Sequence, residues 1–322
     1  MGIKLKEIYV KRILILIAVV LCLSEASCAE QPNFLKLGAT RTRDVIYLKK
    51  DGFALTYDIL TPRVQNGAAI AFMVSGGWHS THDSLKSIDQ GFFGRMTRVF
   101  LDRGFTLYYV IHGSQPRFTA AEAIEQTTAA INHIRSTAAA RRIDPLRIGV
   151  AGGSAGGHLS LMQGLQGGDH VQAVVAYFPP TDFLNYGAPG VHFDTVIRGL
   201  NPEGNNPFWG AVELRELNRS TTTFIPVTDK KRHHAHLNSI SPVHQVDPGD
   251  APTLLLHGDA DKLVPLQQSQ ILIKKLNAAK IPNQLIVKEG ASHGWVSEDD
   301  ELKIISDWFM LHLSEKAAPL PQ

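Results

Sequence analysis

The chain is poor in cysteine. Among its 322 residues only Cys22 and Cys28 occur, both before the first strand-like run. No disulfide framework can hold the folded part together, so that part must rely on an apolar core. Long hydrophobic runs are scarce as well. The run from Ile13 to Leu23 is too short to span a bilayer comfortably, which takes about 20 apolar residues. It follows Lys4, Lys6, Lys11 and Arg12, and it precedes Ser27 and Ala29, small residues at the third and last positions before a cut after Ala29. That order is the pattern of a secretory signal peptide over residues 1–29. An uncleaved anchor would call for a longer run. A lipoprotein signal ending at Cys28 would call for an aliphatic residue where Glu25 stands. A chain of residues 30–322 is therefore expected in a secreted or periplasmic location, with no stable membrane insertion after signal removal.

An excess of one charge is also missing. Residues 1–29 hold four basic and two acidic side chains, and taking these from totals of 32 and 30 leaves 28 of each. No basic stripe remains to attract a phosphate backbone, so nucleic acid is not an expected partner. Phosphate-binding loops are absent too. The glycines at 149, 152, 153, 156 and 157 do not fit G-x-G-x-x-G, and no Gly-Lys-Ser or Gly-Lys-Thr follows them.

What the sequence does contain is alternation. "DVIYLK" and "FALTYDIL" flank Asp51-Gly52 and read as an antiparallel hairpin. Six nearly continuous apolar runs follow: "AAIAFMVSGG", "FTLYYVIHG", "RIGVAGG", "VQAVVAYFPP", "APTLLLHGD" and "PNQLIVKEG". Strands buried on both faces of a parallel sheet read this way. Helical spacing predicts helices over Thr119–Ser136, Ala155–Leu165 and Leu266–Ala279. A last helix, with Ser297 and Asp300 as its capping box, buries Leu302, Ile305, Trp308 and Phe309. The implied fold class is α/β: a doubly wound, mostly parallel sheet. Asp182–Gly249 breaks the rhythm and is expected to be an inserted cap with short helices, within one domain spanning 30–322.

Gly152-Gly153-Ser154-Ala155-Gly156 fits G-x-S-x-G between a predicted strand and a predicted helix, the context of a nucleophile elbow. The plain alternative is a glycine-rich turn that only packs. A serine hydroxyl needs a base, and the base needs an acidic orienter. On a sheet of this kind the chain order is serine, acid, histidine. Of 14 histidines only His293 and His312 follow the last strand candidates. His312 lies inside the terminal helix, whereas His293 lies in the Gly-bounded loop "EGASHGWV". The loop "HGDADKLVP" offers Asp259, placed to shape the turn, and Asp261, the favoured orienter. An oxyanion hole needs backbone N–H groups without obstructing side chains. Gly76 and Gly77 in "MVSGGWHS", with Ala155 after the serine, are the candidates.

Within this framework "SGGW", "GGSAGGHLS", "SISPVHQV", "APTLLLHGDADKLVP" and "SHGW" resemble the α/β-hydrolase superfamily. The chain is most similar to bacterial esterases and lipases of the hormone-sensitive-lipase and feruloyl-esterase-like kind. The catalytic domain of prolyl oligopeptidases is similar over the same motifs. The resemblance implies an α/β-hydrolase fold and carboxylic-ester hydrolysis, including acetyl or feruloyl groups on polysaccharides. It implies a triad of Ser154, Asp261 and His293, and oxyanion donors at Gly77 and Ala155, then Gly76. The implied partner is a small-molecule or polysaccharide-linked ester; no cofactor or metal is expected. The chain departs from the family in having Val74-Ser75-Gly76-Gly77 where His-Gly-Gly-Gly is usual. Trp78 matches the aromatic that often follows, and Trp78 and Trp295 are the candidate substrate-binding residues. Other readings are a prolyl-oligopeptidase-type peptidase, though no propeller precedes the domain, and a non-catalytic binding protein. His233, His234 and His236 read as a solvated loop cluster rather than a metal site, and His158 as packing under the elbow.

Overall fold

The computed structural model describes residues 38–88, 91–167, 170–200, 208–295 and 297–315. The expected signal peptide, with Cys22 and Cys28, lies outside them. The hairpin forms where Asp51-Gly52 predicts it: β1 (Thr40–Lys50) and β2 (Phe53–Thr61) pair antiparallel, with Lys50 opposite Phe53. Asp51 and Gly52 take φ of 49° and 77°, as a two-residue turn of this hand requires. The predicted alternation follows as β3 (Ala69–Met73), α1 (Gly91–Asp102), β4 (Thr106–Val110), α2 (Ala120–Thr137), β5 (Ile148–Gly153), α3 (Ala155–Gly164) and β6 (Ala173–Tyr177). After a long excursion come β9 (Thr253–Gly258), α6 (Gln267–Ala278), β10 (Asn283–Lys288) and α7 (Asp299–His312).

The sheet order is β1-β2-β4-β3-β5-β6-β9-β10, antiparallel at β1/β2 and β2/β4 and parallel elsewhere. Side chains alternate between two cores. Ala69, Ala71 and Met73 face one way, with Val150 and Leu255, against Ile131 of α2, Leu159 of α3 and Leu272 of α6. Ile70 and Phe72 face the other way, with Val175 and Leu256, against Phe100 of α1 and Phe309 of α7. The chain leaves β3 for β4 through α1 on one face and reaches β5 through α2 on the other. The switch point therefore lies between β3 and β5, where ligands of open α/β sheets bind at the carboxyl ends of the strands.

Two local expectations are corrected. β10 is not buried on both faces; among the described residues it is an edge strand paired only to β9, and Val287 is 47% exposed. The last helix starts one residue later than the Ser297 cap: Glu298 N–H donates to Glu301 Oε2 at 3.3 Å. Ser297 is committed instead to Tyr177, with their hydroxyls 3.0 Å apart.

Asp182–Gly249 runs between β6 and β9. It holds α4 (Phe193–Leu200), the hairpin β7 (Arg215–Asn218) with β8 (Thr223–Pro226), and α5 (Lys230–Ser239). The hairpin adds strands where only short helices are expected. Phe183, Tyr186 and Phe193 do not form a separate small core; they pack into the core beneath the sheet through Trp78. Among the described residues no helix is long and apolar enough to cross a membrane.

Candidate active site

Three close approaches require the glycines around Ser154. A Cβ on Gly152 would come within 2.5 Å of Gly156 backbone, one on Gly156 within 2.3 Å of the Met73 carbonyl, and one on Gly157 within 3.0 Å of the Tyr177 carbonyl. Helix α3 is thus pressed against the ends of β3 and β6, and the chain must turn sharply to enter it. Ser154 takes the bend with φ 55° and ψ −122°, a strained conformation for a residue with a side chain. Its N–H donates to the Tyr177 carbonyl at 2.9 Å, which fixes the turn to the neighbouring strand.

The loops after β9 and β10 bring the other two polar side chains to the same place. A Cβ on Gly258 would sit 2.1 Å from the Ala291 carbonyl, so the loop after β10 crosses directly over the end of β9. Asp259 accepts from Gly290 N–H at 2.7 Å and shapes this crossing. Asp261 reaches the other way. Its Oδ1 accepts from the N–H groups of Leu263 and Val264, each at 2.9 Å, and its Oδ2 lies 2.7 Å from His293 Nδ1. His293 Nε2 lies 3.0 Å from Ser154 Oγ. Burial acts to raise the Asp261 carboxyl. Hydrogen bonds from His257 and His293, the charge at His293 and the Val264 N–H outweigh it and hold the group well below the usual carboxylate range. His257 is itself buried, tied to Ser269 Oγ at 2.7 Å and to the Val264 carbonyl at 2.8 Å. A polar residue inside the apolar run "TLLLHG" is the one sequence signal of this support.

Phe178 packs against the imidazole. It follows β6 with φ 36°, and its ring meets His293 edge-on at 4.5 Å. Trp295, a substrate-binding candidate, backs Phe178 at 5.2 Å and donates Nε1–H to Glu301 at 3.0 Å. Its contacts make it a brace for the histidine loop. Nothing in the sequence marks Phe178 for this place.

The Gly76-Gly77-Trp78-His79 segment is a two-residue hairpin turn. Gly76 N–H donates to the His79 carbonyl and His79 N–H to the Gly76 carbonyl, both at 3.0 Å. Gly77 and Trp78 have φ of 57° and 58°, the positive pair that such a turn demands. Gly76 N–H is therefore spent within the turn and is not available as an oxyanion donor. The Gly76 carbonyl points inward to His79, so the trans peptide sends Gly77 N–H outward. Gln115 holds the far side, donating from Nε2 to the Gly77 carbonyl at 3.3 Å and to His79 Nε2 at 2.9 Å.

Trp78 is 3% exposed, which corrects its assignment as a substrate contact. It anchors the turn. Its ring packs on His158, Phe183 and Phe193, and its Nε1–H donates to His158 Nδ1 at 3.2 Å. Indole only donates, so Nδ1 of His158 accepts and Nε2 donates to the Ile240 carbonyl at 2.8 Å. The pair ties the turn to helix α3, one turn past Ser154. Trp78→Phe keeps most of the packing but strands a buried acceptor, at an expected cost of about 1–3 kcal/mol. Thermal unfolding measures that loss, and kcat should fall while KM stays within a few-fold; an unchanged melting temperature would contradict the anchor role.

Burial pushes His112 and His158 down to about 4. Between there and the ordinary 6.5, the unfolded chain binds protons that the native chain does not. Their stabilising contribution is thus complete above about pH 6.5 and is lost as pH falls toward 4. Going from pH 7 to pH 5 should cost about 2 kcal/mol for each. Denaturant unfolding at the two pH values checks this; equal stability would mean that neither imidazole is held neutral.

His233, His234 and His236 lie on helix α5, not in a loop. Among the described residues no three His, Cys, Asp or Glu side chains gather as a metal site. His312, the last residue of α7, packs at a tilt against Trp308, with ring centroids 4.3 Å apart.

The BD-FAE family model matches residues 57–276. The chain belongs to the BD-FAE family. A truncated carbohydrate esterase from gut microbiota superposes with a TM-score of 0.66 at 24% identity, covering 86% of this chain and 97% of its own. Esterase Est2 of the Planctomycetes species Thermogutta terrifontis gives 0.61 at 20% identity, covering 87% and 95%. Among curated proteins the non-reducing polyketide synthase pkbA of Emericella nidulans is 25% identical over 334 residues, covering 79% of this chain. The chain spans only 13% of that synthase's length. The architecture of this BD-FAE member is the α/β-hydrolase fold.

Proposed function

We propose that this BD-FAE protein is a serine hydrolase of carboxylic esters, acting through Ser154, His293 and Asp261. One observation carries the proposal: the hydrogen-bonded series from Ser154 Oγ through the His293 ring to Asp261 Oδ2, at 3.0 and 2.7 Å, above the switch point of the sheet. His293 Nε2 takes the hydroxyl proton as Ser154 Oγ attacks the ester carbonyl. Asp261 holds Nδ1–H and so keeps Nε2 free to accept. The carbonyl oxygen becomes an oxyanion, for which Gly77 N–H and Ala155 N–H are the donors; each such donor is worth about 3 kcal/mol in the transition state. The protonated imidazole returns its proton to the departing alcohol, leaving an acyl-serine. Water, deprotonated by the same imidazole, then releases the acid.

Carbohydrate esters are the proposed substrate class. The carbohydrate esterase from gut microbiota and a bifunctional GH43-CE protein of Bacteroides eggerthii share the fold. Esterase 2 of Thermogutta terrifontis is phosphonylated by sarin, which is consistent with organophosphate chemistry at a site of this shape. A leader over residues 1–29, cleaved after Ala29, would deliver the protein to extracytoplasmic polysaccharide. The test is labelling by a fluorophosphonate probe, followed by peptide mapping, beside hydrolysis of p-nitrophenyl acetate and an aminoacyl amide. One label on Ser154 with ester turnover is expected. No label would favour a binding protein, and preference for the amide would favour a peptidase.

A further inference from the structure

An aromatic side chain from the stretch before β7 reaches the oxyanion turn. A Cβ on Gly77 would come within 2.3 Å of the Phe208 ring. The ring edge therefore rests on Gly77 Cα, one bond from the nitrogen whose N–H is the proposed oxyanion donor. With that bond of about 1.5 Å and a donor–oxyanion separation of about 3 Å, the ring edge lies at most about 8 Å from the oxyanion. Phe208 is held in this place from several directions. Its half-buried ring packs on the core. Its carbonyl accepts from Ala211 N–H at 3.1 Å, and Ala211 and Val212 are buried in the same core. A Cβ on Gly210 would come within 2.6 Å of Pro116, so the backbone here lies directly on the loop after β4. Arg215 adds hydrogen bonds to the Pro116 and Arg117 carbonyls.

The sheet order fixes which half of an ester faces this ring. Ser154 follows β5. The oxyanion turn follows β3, on one side of β5; Phe178 and the His293 loop follow β6 and β10, on the other. His293 hands its proton to the alcohol oxygen, so the alcohol leaves on the β6 side. Phe208, packed on the loops after β3 and β4, stands on the acyl side. We propose that Phe208 limits the acyl group to acetyl size. An acetyl methyl ends short of the ring edge, whereas an extended octanoyl chain is longer than the gap. Such selectivity is built from a clash with the longer competitor, not from added contacts to the shorter one. The proposal rests on the serine-hydrolase reading of the site and narrows its carbohydrate esters to acetyl esters.

The test compares kcat/KM for p-nitrophenyl acetate and p-nitrophenyl octanoate, which differ only in the acyl chain. The wild type should favour acetate at least tenfold. Phe208→Ala should lower that ratio at least tenfold, in keeping with about tenfold or more for each methylene that a pocket admits or refuses. A turn loosened by the lost ring lowers every rate together, so the ratio is read rather than any single rate. Circular dichroism melts identify an alanine variant that fails to fold; Phe208→Leu, apolar and shorter than phenylalanine, then decides in the same direction. The ratio of 1-naphthyl acetate to p-nitrophenyl acetate varies the alcohol alone and should shift less than threefold in the same variants. A wild type indifferent to acyl length, an unshifted acyl ratio in a folded variant, or a shift confined to the alcohol pair would overturn the proposal. Fluorophosphonate labelling of the wild type separates the two failures. Label on Ser154 with an unshifted acyl ratio sinks the acyl wall alone; neither label nor ester turnover sinks the hydrolase and the acyl wall with it.

Discussion

Ser154→Ala is expected to lower kcat for p-nitrophenyl acetate by about 10⁴–10⁶-fold, to the level that donors and binding alone sustain. The size of the loss follows from the site's division of labour. His293 lies 3.0 Å from the Ser154 hydroxyl and has no other oxygen nucleophile assigned to it. Without Oγ no acyl-enzyme can form, and the remaining route is direct attack by water. The fold should survive, because what holds the turn is backbone and glycine: Ser154 N–H on the Tyr177 carbonyl, and Gly156 against Met73. Alanine meets the same φ of 55° at the same conformational cost. The melting temperature of the variant should therefore match the parent within a degree or two. A variant that melts normally and keeps a tenth of its turnover would remove Ser154 from the mechanism.

The parts of this site that were legible in the sequence are those whose geometry is local. Glycine spacing around Ser154 reports the packing of one strand on one helix, and both lie within a few residues of it. The two-residue separation of Asp259 and Asp261 assigns one to the turn and the other beyond it for the same reason. Legibility ends where a side chain is fixed by distant partners. Trp78 stands next to the glycines and reads as a substrate contact, yet His158, Phe183 and Phe193 draw it into the core. Gly76 and Gly77 are indistinguishable by type, and only the turn's own hydrogen bonds separate a spent N–H from an outward one. Phe178 is one more aromatic at the end of an apolar run until the histidine loop is laid over it. The segment from Asp182 to Gly249 lacked an apolar period because much of its surface is solvated, and its buried aromatics Phe183, Tyr186 and Phe193, irregularly spaced in sequence, pack together and onto Trp78 of the main core.

Asp261→Asn is expected to cost about 10⁴-fold in kcat with little change in KM, and the hydrogen bonds around Asp261 dictate why. Oδ1 accepts two backbone N–H groups, from Leu263 and Val264. In the asparagine variant the amide oxygen must occupy that position, since an NH₂ there would face two donors. The NH₂ group is then forced to the Oδ2 position, 2.7 Å from His293 Nδ1. Facing a donor, Nδ1 must become the acceptor, and the ring proton moves to Nε2. That nitrogen then donates toward Ser154 and cannot take its proton. The same substitution changes the response to acid. The native carboxyl is held below its ordinary value near 4, so its stabilising contribution is complete above that pH and is lost as pH falls below it. The asparagine variant has no such group to protonate. Its stability should therefore decline less than the parent's between pH 5 and pH 3, and denaturant unfolding across that interval measures the difference. Parallel declines, or a kcat within tenfold of the parent, would show that Asp261 neither sets the tautomer nor carries the ionised partner of His293.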